Sequence, residues 1–171
     1  WYPDSAAELE KLIGAGRSAG TPLKHPAAIV VPHAGYLYSG AVAARLFARV
    51  PSNEYSRVII LAPSHRVAMH RTFSVEPAVD VATPFGPVRF SKDIHDRLAA
   101  LPGAEFVPEA HPMEHAVDIE LPLVRRYLPH CEVAAAIVGQ WDCASEGDAR
   151  RLREFAAAFR KLLDERTLVV V

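Results

Sequence analysis

R-V-I-I-L-A-P-S-H, residues 57–65, places a histidine just past an apolar run that reads as a buried strand, Arg57–Ala62. Its continuous apolar character is that of a strand covered on both faces, as in a parallel sheet packed between helices. Upstream, Ala27–Val31 reads the same way and is followed by P-H-A-G-Y, so that His33 stands past a second strand as His65 stands past the first. Between them Pro32–Tyr38 is a loop, and Ser39 caps a helix to about Arg49 with Val42, Leu46 and Phe47 turned inward. These pieces make one βαβ unit with a right-handed crossover.

The pattern repeats outward from this unit. Ser5 and Glu8 form a capping box for a helix over 5–14, with Leu9, Leu12 and Ile13 on one stripe. Downstream, Thr72–Glu76, Asp80–Thr83 and Val88–Phe90 are short strand candidates broken by Pro77 and by T-P-F-G-P, which suggests an antiparallel excursion off the main sheet. Ser91 or Lys92 opens a helix to about Leu101, and His111 or Glu114 opens another to about Leu128. In the latter, Val117, Leu121, Val124 and Leu128 share a face, and Pro122 is expected to kink or restart it. Glu132–Val138 is a strand. Ser145 with Asp148 caps a long helix carrying Leu152, Phe155, Ala156, Phe159, Leu162 and Leu163, and Thr167–Val171 is a last strand. Alternating apolar strands and amphipathic helices predict an α/β fold: a three-layer α/β/α sandwich with a mostly parallel central sheet and a short antiparallel β excursion. The 171 residues fit one domain.

Composition narrows the function. Nineteen basic against twenty acidic residues leave a net charge of −1, with no electrostatic footprint for nucleic acid or an anionic membrane. No apolar run approaches the roughly 18 residues of a membrane span, and a cytoplasmic location is expected. Cys131 and Cys143 lack C-x-x-C spacing and are expected to be buried free thiols. G-A-G-R-S-A-G at 14–20 follows a helix rather than a strand, the wrong context for a phosphate-binding loop.

Eight histidines remain to be sorted. His25, His70, His95 and His130 fall in loops or polar stretches and are expected at the surface. His33 and His65 differ, because the ends of neighbouring parallel strands open onto one crevice. Strands about 4.8 Å apart can bring two imidazoles onto one metal, so a metal or proton-transfer pair stands beside a hydrogen-bonded structural pair as the reading. Glu114, His115 and Asp118 lie at the start of a helix, His115 and Asp118 one turn apart. His111 and His115 have the i, i+4 spacing of a two-histidine zinc pair, but Pro112 makes His111 a neighbour of the helix cap instead. Ser64 beside His65 lacks the G-x-S-x-G elbow of a serine nucleophile, and adjacent residues at a strand end point apart.

W-Y-P at the start, V-P-H-A-G-Y-L-Y-S-G, L-A-P-S-H and E-H-A-V-D-I-E-L-P-L, in this order and spacing, resemble the Memo family, called AmmeMemoRadiSam system protein B in many microbes. Memo proteins resemble class III extradiol dioxygenases in fold, which implies a metal-capable pocket at the strand ends. By that resemblance His33 and His65 match two metal-site residues, and His115 matches a pocket histidine that faces substrate and oxygen in the dioxygenases. The family continues past the V-V-V strand with an aspartate, a histidine and later a cysteine ligand. This chain is therefore expected to be the N-terminal portion of the family domain, and neither Cys131 nor Cys143 stands where that cysteine belongs. The resemblance implies a redox protein holding iron or copper and acting on a small molecule, with His115 as catalytic acid or base. The alternative is a non-catalytic module that binds a peptide or protein segment in the same pocket.

Overall fold

A computed structural model of the chain describes residues 1–14 and 20–171, so most of the G-A-G-R-S-A-G stretch lies outside the described residues. The strands are β1 (Ala28–Ile29), β2 (Arg57–Pro63), β3 (Phe73–Val75), β4 (Val81–Thr83), β5 (Gly86–Val88), β6 (Glu132–Val138) and β7 (Thr167–Val170). The helices are α1 (Ala6–Ile13), α2 (Tyr36–Phe47), α3 (Lys92–Ala99), α4 (Ala116–Tyr127) and α5 (Glu146–Arg160). Five strands form the central sheet in the order β1-β7-β2-β6-β3, all parallel except β3, and β4 with β5 makes a separate antiparallel hairpin.

Past their first residues β2, β6 and β7 are apolar on both faces because both faces are covered. Val58, Ile60, Val133, Ala135, Ile137, Leu168 and Val170 pack with Leu9, Phe47, Leu121 and Val124 of α1, α2 and α4. Their neighbours Ile59, Ala134, Ala136 and Val169 point the other way, onto Ile94 and Leu98 of α3 and Phe159 of α5. Period-two alternation thus feeds two cores, and the fold is a three-layer α/β/α sandwich. Ser5 and Ser145 cap α1 and α5, accepting from the N–H of Glu8 and of Asp148. No helix among the described residues is long and apolar enough to cross a membrane.

Several expectations are corrected. β7 separates β1 from β2, so the first two strands are not neighbours. β3 does not leave the sheet but closes its edge against β6, and only the β4–β5 hairpin stands apart. α2 starts at Tyr36 with Gly35 as its cap, while the Ser39 hydroxyl donates to the Ala34 carbonyl at 2.9 Å. Its buried face is Tyr36, Gly40, Ala43, Ala44 and Phe47, a clean helical period that leaves Val42 exposed. α4 runs unbroken through Pro122, which merely lacks the N–H that would have met the Asp118 carbonyl. Ala156 is exposed. Cys143 is exposed as well, in the turn before α5, and only Cys131 is buried.

Candidate metal centre

The two strand-end histidines meet although their strands do not. With β7 between them, β1 and β2 end about 10 Å apart, twice the interstrand spacing. The loop after β1 closes that gap and brings the His33 and His65 rings to 5.3 Å between centroids. His115, the residue preceding α4, lies 5.3 Å from His65 on the same measure. The three imidazoles form a row with His65 in the middle.

Two long-range contacts place this row. Tyr36 donates its backbone N–H to the Trp1 carbonyl at 3.1 Å and its hydroxyl to the Ile119 carbonyl at 2.8 Å, tying the chain start, α2 and α4 together. Trp1 then stacks on His115 with 3.9 Å between ring centroids, its own ring largely exposed.

Glu114 organises the row electrostatically. Its carboxylate accepts from the backbone N–H of His65 at 2.7 Å, of His115 at 2.9 Å and of Ala116 at 3.2 Å, and pairs with Nδ1 of His65 at 3.0 Å. Burial works to raise its pKa, but the hydrogen bonds from His65, His115 and Ala116 overcome that and push it down to about 2. An ionised Glu114 accepts from an Nδ1–H of His65, the carboxylate–imidazole pairing found behind metal-binding histidines. Burial, then the charge of a protonated His65, lowers the pKa of His33. Burial also lowers that of His115, opposed by Glu114 and reinforced by His65, Arg66 and His33. Both rings are therefore favoured in the neutral form that coordinates cations.

One nitrogen in the group is orphaned. Nδ1 of His115 is buried without a hydrogen-bond partner, and its 3.3 Å approach to Glu114 Oε1 makes no hydrogen bond. A buried polar atom in that state calls for a ligand or a proton. One donor atom each from His65, Glu114 and His115 fall within 4.8 Å of one another. Neutral imidazoles beside a carboxylate suit first-row transition metals.

The remaining candidates sort clearly. Asp118 is exposed; partial loss of hydration, then the negative charges of Glu76 and Glu114, raise its pKa. The Ser64 hydroxyl donates to the Val67 carbonyl at 2.6 Å and serves a turn. His25, His70 and His130 are exposed, and His95 is half-buried against Asp96. Burial pushes the Cys131 thiol up to about 11, which keeps it protonated.

His111 is the residue the sequence reading placed least well. Its side chain is largely covered, bonded through Nδ1 to Glu76 and through Nε2 to the Ser74 hydroxyl at 2.7 Å, and that hydroxyl accepts from the Val107 N–H at 2.9 Å. The order serine, histidine, carboxylate is that of a hydrolytic triad, but Ser74 has no exposed surface to offer a substrate, so the trio acts as a polar latch. Ser74 and Glu76 share a strand face by their spacing; nothing local announces the histidine 35 residues on. The roomiest cleft described, about 540 Å³ between α3 and residues 104–106, is mainly apolar, so chemistry rather than volume places the candidate site.

The profile of the family described as Memo-like protein matches residues 1–171. A MEMO1 family protein of Aquifex aeolicus is 33% identical over 129 residues, covering 74% of this chain and 47% of that protein. A MEMO1 family protein of Thermotoga maritima is 30% identical over 165 residues, covering 91% and 58%. Protein MEMO1 of Danio rerio is 30% identical over 140 residues, covering 81% and 47%. The chain spans about half the length of the curated relatives it matches.

Proposed function

This chain belongs to the family of Memo-like proteins, and on that premise we propose that it holds a redox-active transition metal, iron or copper, between His33 and His65. The observation that carries this reading is the Glu114–His65 pair at 3.0 Å, a carboxylate behind an imidazole, with the His33 ring 5.3 Å from that of His65 between centroids. Bound there, such a metal supplies Lewis acidity and a one-electron couple.

The chain's own residues supply the rest. Glu114 fixes the tautomer of His65 and holds the backbone at His115 and Ala116. His115, beside the proposed ligands, accepts or returns a proton from a bound small molecule. Trp1 covers the His115 ring and limits the access of water from that side.

The test is metal uptake. The protein is dialysed anaerobically against Fe(II) or Cu(I), and bound metal is counted for the wild type, His33→Ala and His65→Ala. Near-stoichiometric metal that is lost in both variants, with circular dichroism unchanged, is the expected result. Uptake unaffected by either change overturns the reading, and a wild type that captures peptides but never metal points to the binding module instead.

A further inference from the structure

At the opposite end of the parallel strands, about 20 Å away along the seven residues of β6, lies a second polar cavity of about 430 Å³. Its walls come from β5 and the residue after it, the last turn of α4 and the loop into β6. Two arginines, Arg89 and Arg125, line it together with His130, and Glu132 is the one acidic residue of the lining. Positive charge therefore prevails in the cavity.

Arg125 is held in an unusual way. Its Nε is buried and has no hydrogen-bond partner. Gly86, at a φ of +111° in the β4–β5 hairpin, packs directly on it: a Cβ there would sit 3.1 Å from Nε and 3.3 Å from Nη2. The glycine thus lets the hairpin descend onto the guanidinium without displacing it. On the other side only the backbone of Arg89 is held, its carbonyl accepting from the Val133 N–H at 2.8 Å at the start of β6, and its side chain is exposed. The guanidinium of Arg125 held in this way offers a planar fork that an anion with several oxygens matches.

We propose that this cavity binds a small organic phosphate. Two guanidinium forks match the oxygens of a phosphate monoester better than a single carboxylate does, since the monoester carries nearly two negative charges. The cavity is larger than a bare phosphate needs, and Val124 and Leu128 give an organic group an apolar wall. The site is separate from the histidine row and does not depend on the metal reading.

The probe is phenyl phosphate, titrated at low salt by calorimetry and by phosphorus NMR, with inorganic phosphate and benzoate as comparators. The expected result is saturable one-site binding, tighter than either comparator. Arg125→Gln should weaken it tenfold or more. Arg89→Gln, at an exposed position that the fold tolerates, should weaken it several-fold. Arg150→Gln on the exposed face of α5 should leave it unchanged. Three results overturn the proposal: no binding at millimolar phenyl phosphate by a natively folded protein, binding that survives both Arg125→Gln and Arg89→Gln, or benzoate binding as tightly as phenyl phosphate.

Discussion

A carboxylate that accepts three backbone N–H groups and an imidazole stays charged even when buried, and Glu114 spends that charge on one histidine. Glu114→Gln preserves the shape but removes the charge that fixes His65, so Fe(II) affinity should fall by about 10- to 100-fold in an anaerobic titration. An unchanged affinity would mean that the carboxylate only caps backbone. Glu120 shows the opposite balance: both its oxygens are buried without partners, and burial pushes its pKa up to about 8. Between the ordinary carboxylate range and about pH 8 the unfolded chain has released a proton that the folded chain still holds, so stability falls as pH rises through that window. Glu120→Gln should flatten this slope and leave the variant more stable by on the order of a few kcal/mol at pH 8, as read from denaturant midpoints at pH 5 and pH 8. His33 and His65 were legible in the sequence because each directly follows an apolar strand. Glu114 was legible only as a helix-start acid, since its partner His65 lies 49 residues away.

Among the elements, α4 matters most to the site, because its start carries His115 and its length packs on the sheet. The Tyr36 hydroxyl ties α2 to α4 across 83 residues of sequence, a contact that periodicity cannot announce. Tyr36→Phe keeps the ring in the core and removes one buried hydrogen bond, a loss of about 1 kcal/mol in chemical denaturation. The strands were legible because burial on both faces makes them continuously apolar; their order was not, because β7 inserts between β1 and β2 from more than 100 residues downstream. Gly139, just past β6, shows how tightly the strand end is fitted. A Cβ there would lie 2.6 Å from the Met69 carbonyl oxygen, a backbone atom that cannot swing aside. Gly139→Ala should cost roughly 1–3 kcal/mol, seen as a lower thermal midpoint; a midpoint equal to the wild type would show that the 67–71 segment yields freely.

At the scale of the whole molecule, one sandwich presents two chemically different ends. The C-terminal ends of its parallel strands gather imidazoles around a buried carboxylate, where open α/β sheets place their ligands. The N-terminal end of β6 gathers arginines instead. The measurement that tests the central claim most directly is X-ray absorption at the iron edge of the anaerobically Fe(II)-loaded protein. Imidazole scattering with nitrogen or oxygen neighbours at roughly 2.1 Å is expected, and its loss from the spectrum of His65→Ala. A spectrum without imidazole ligands, or one that stays as in the wild type in both the His33→Ala and His65→Ala variants, would contradict that claim.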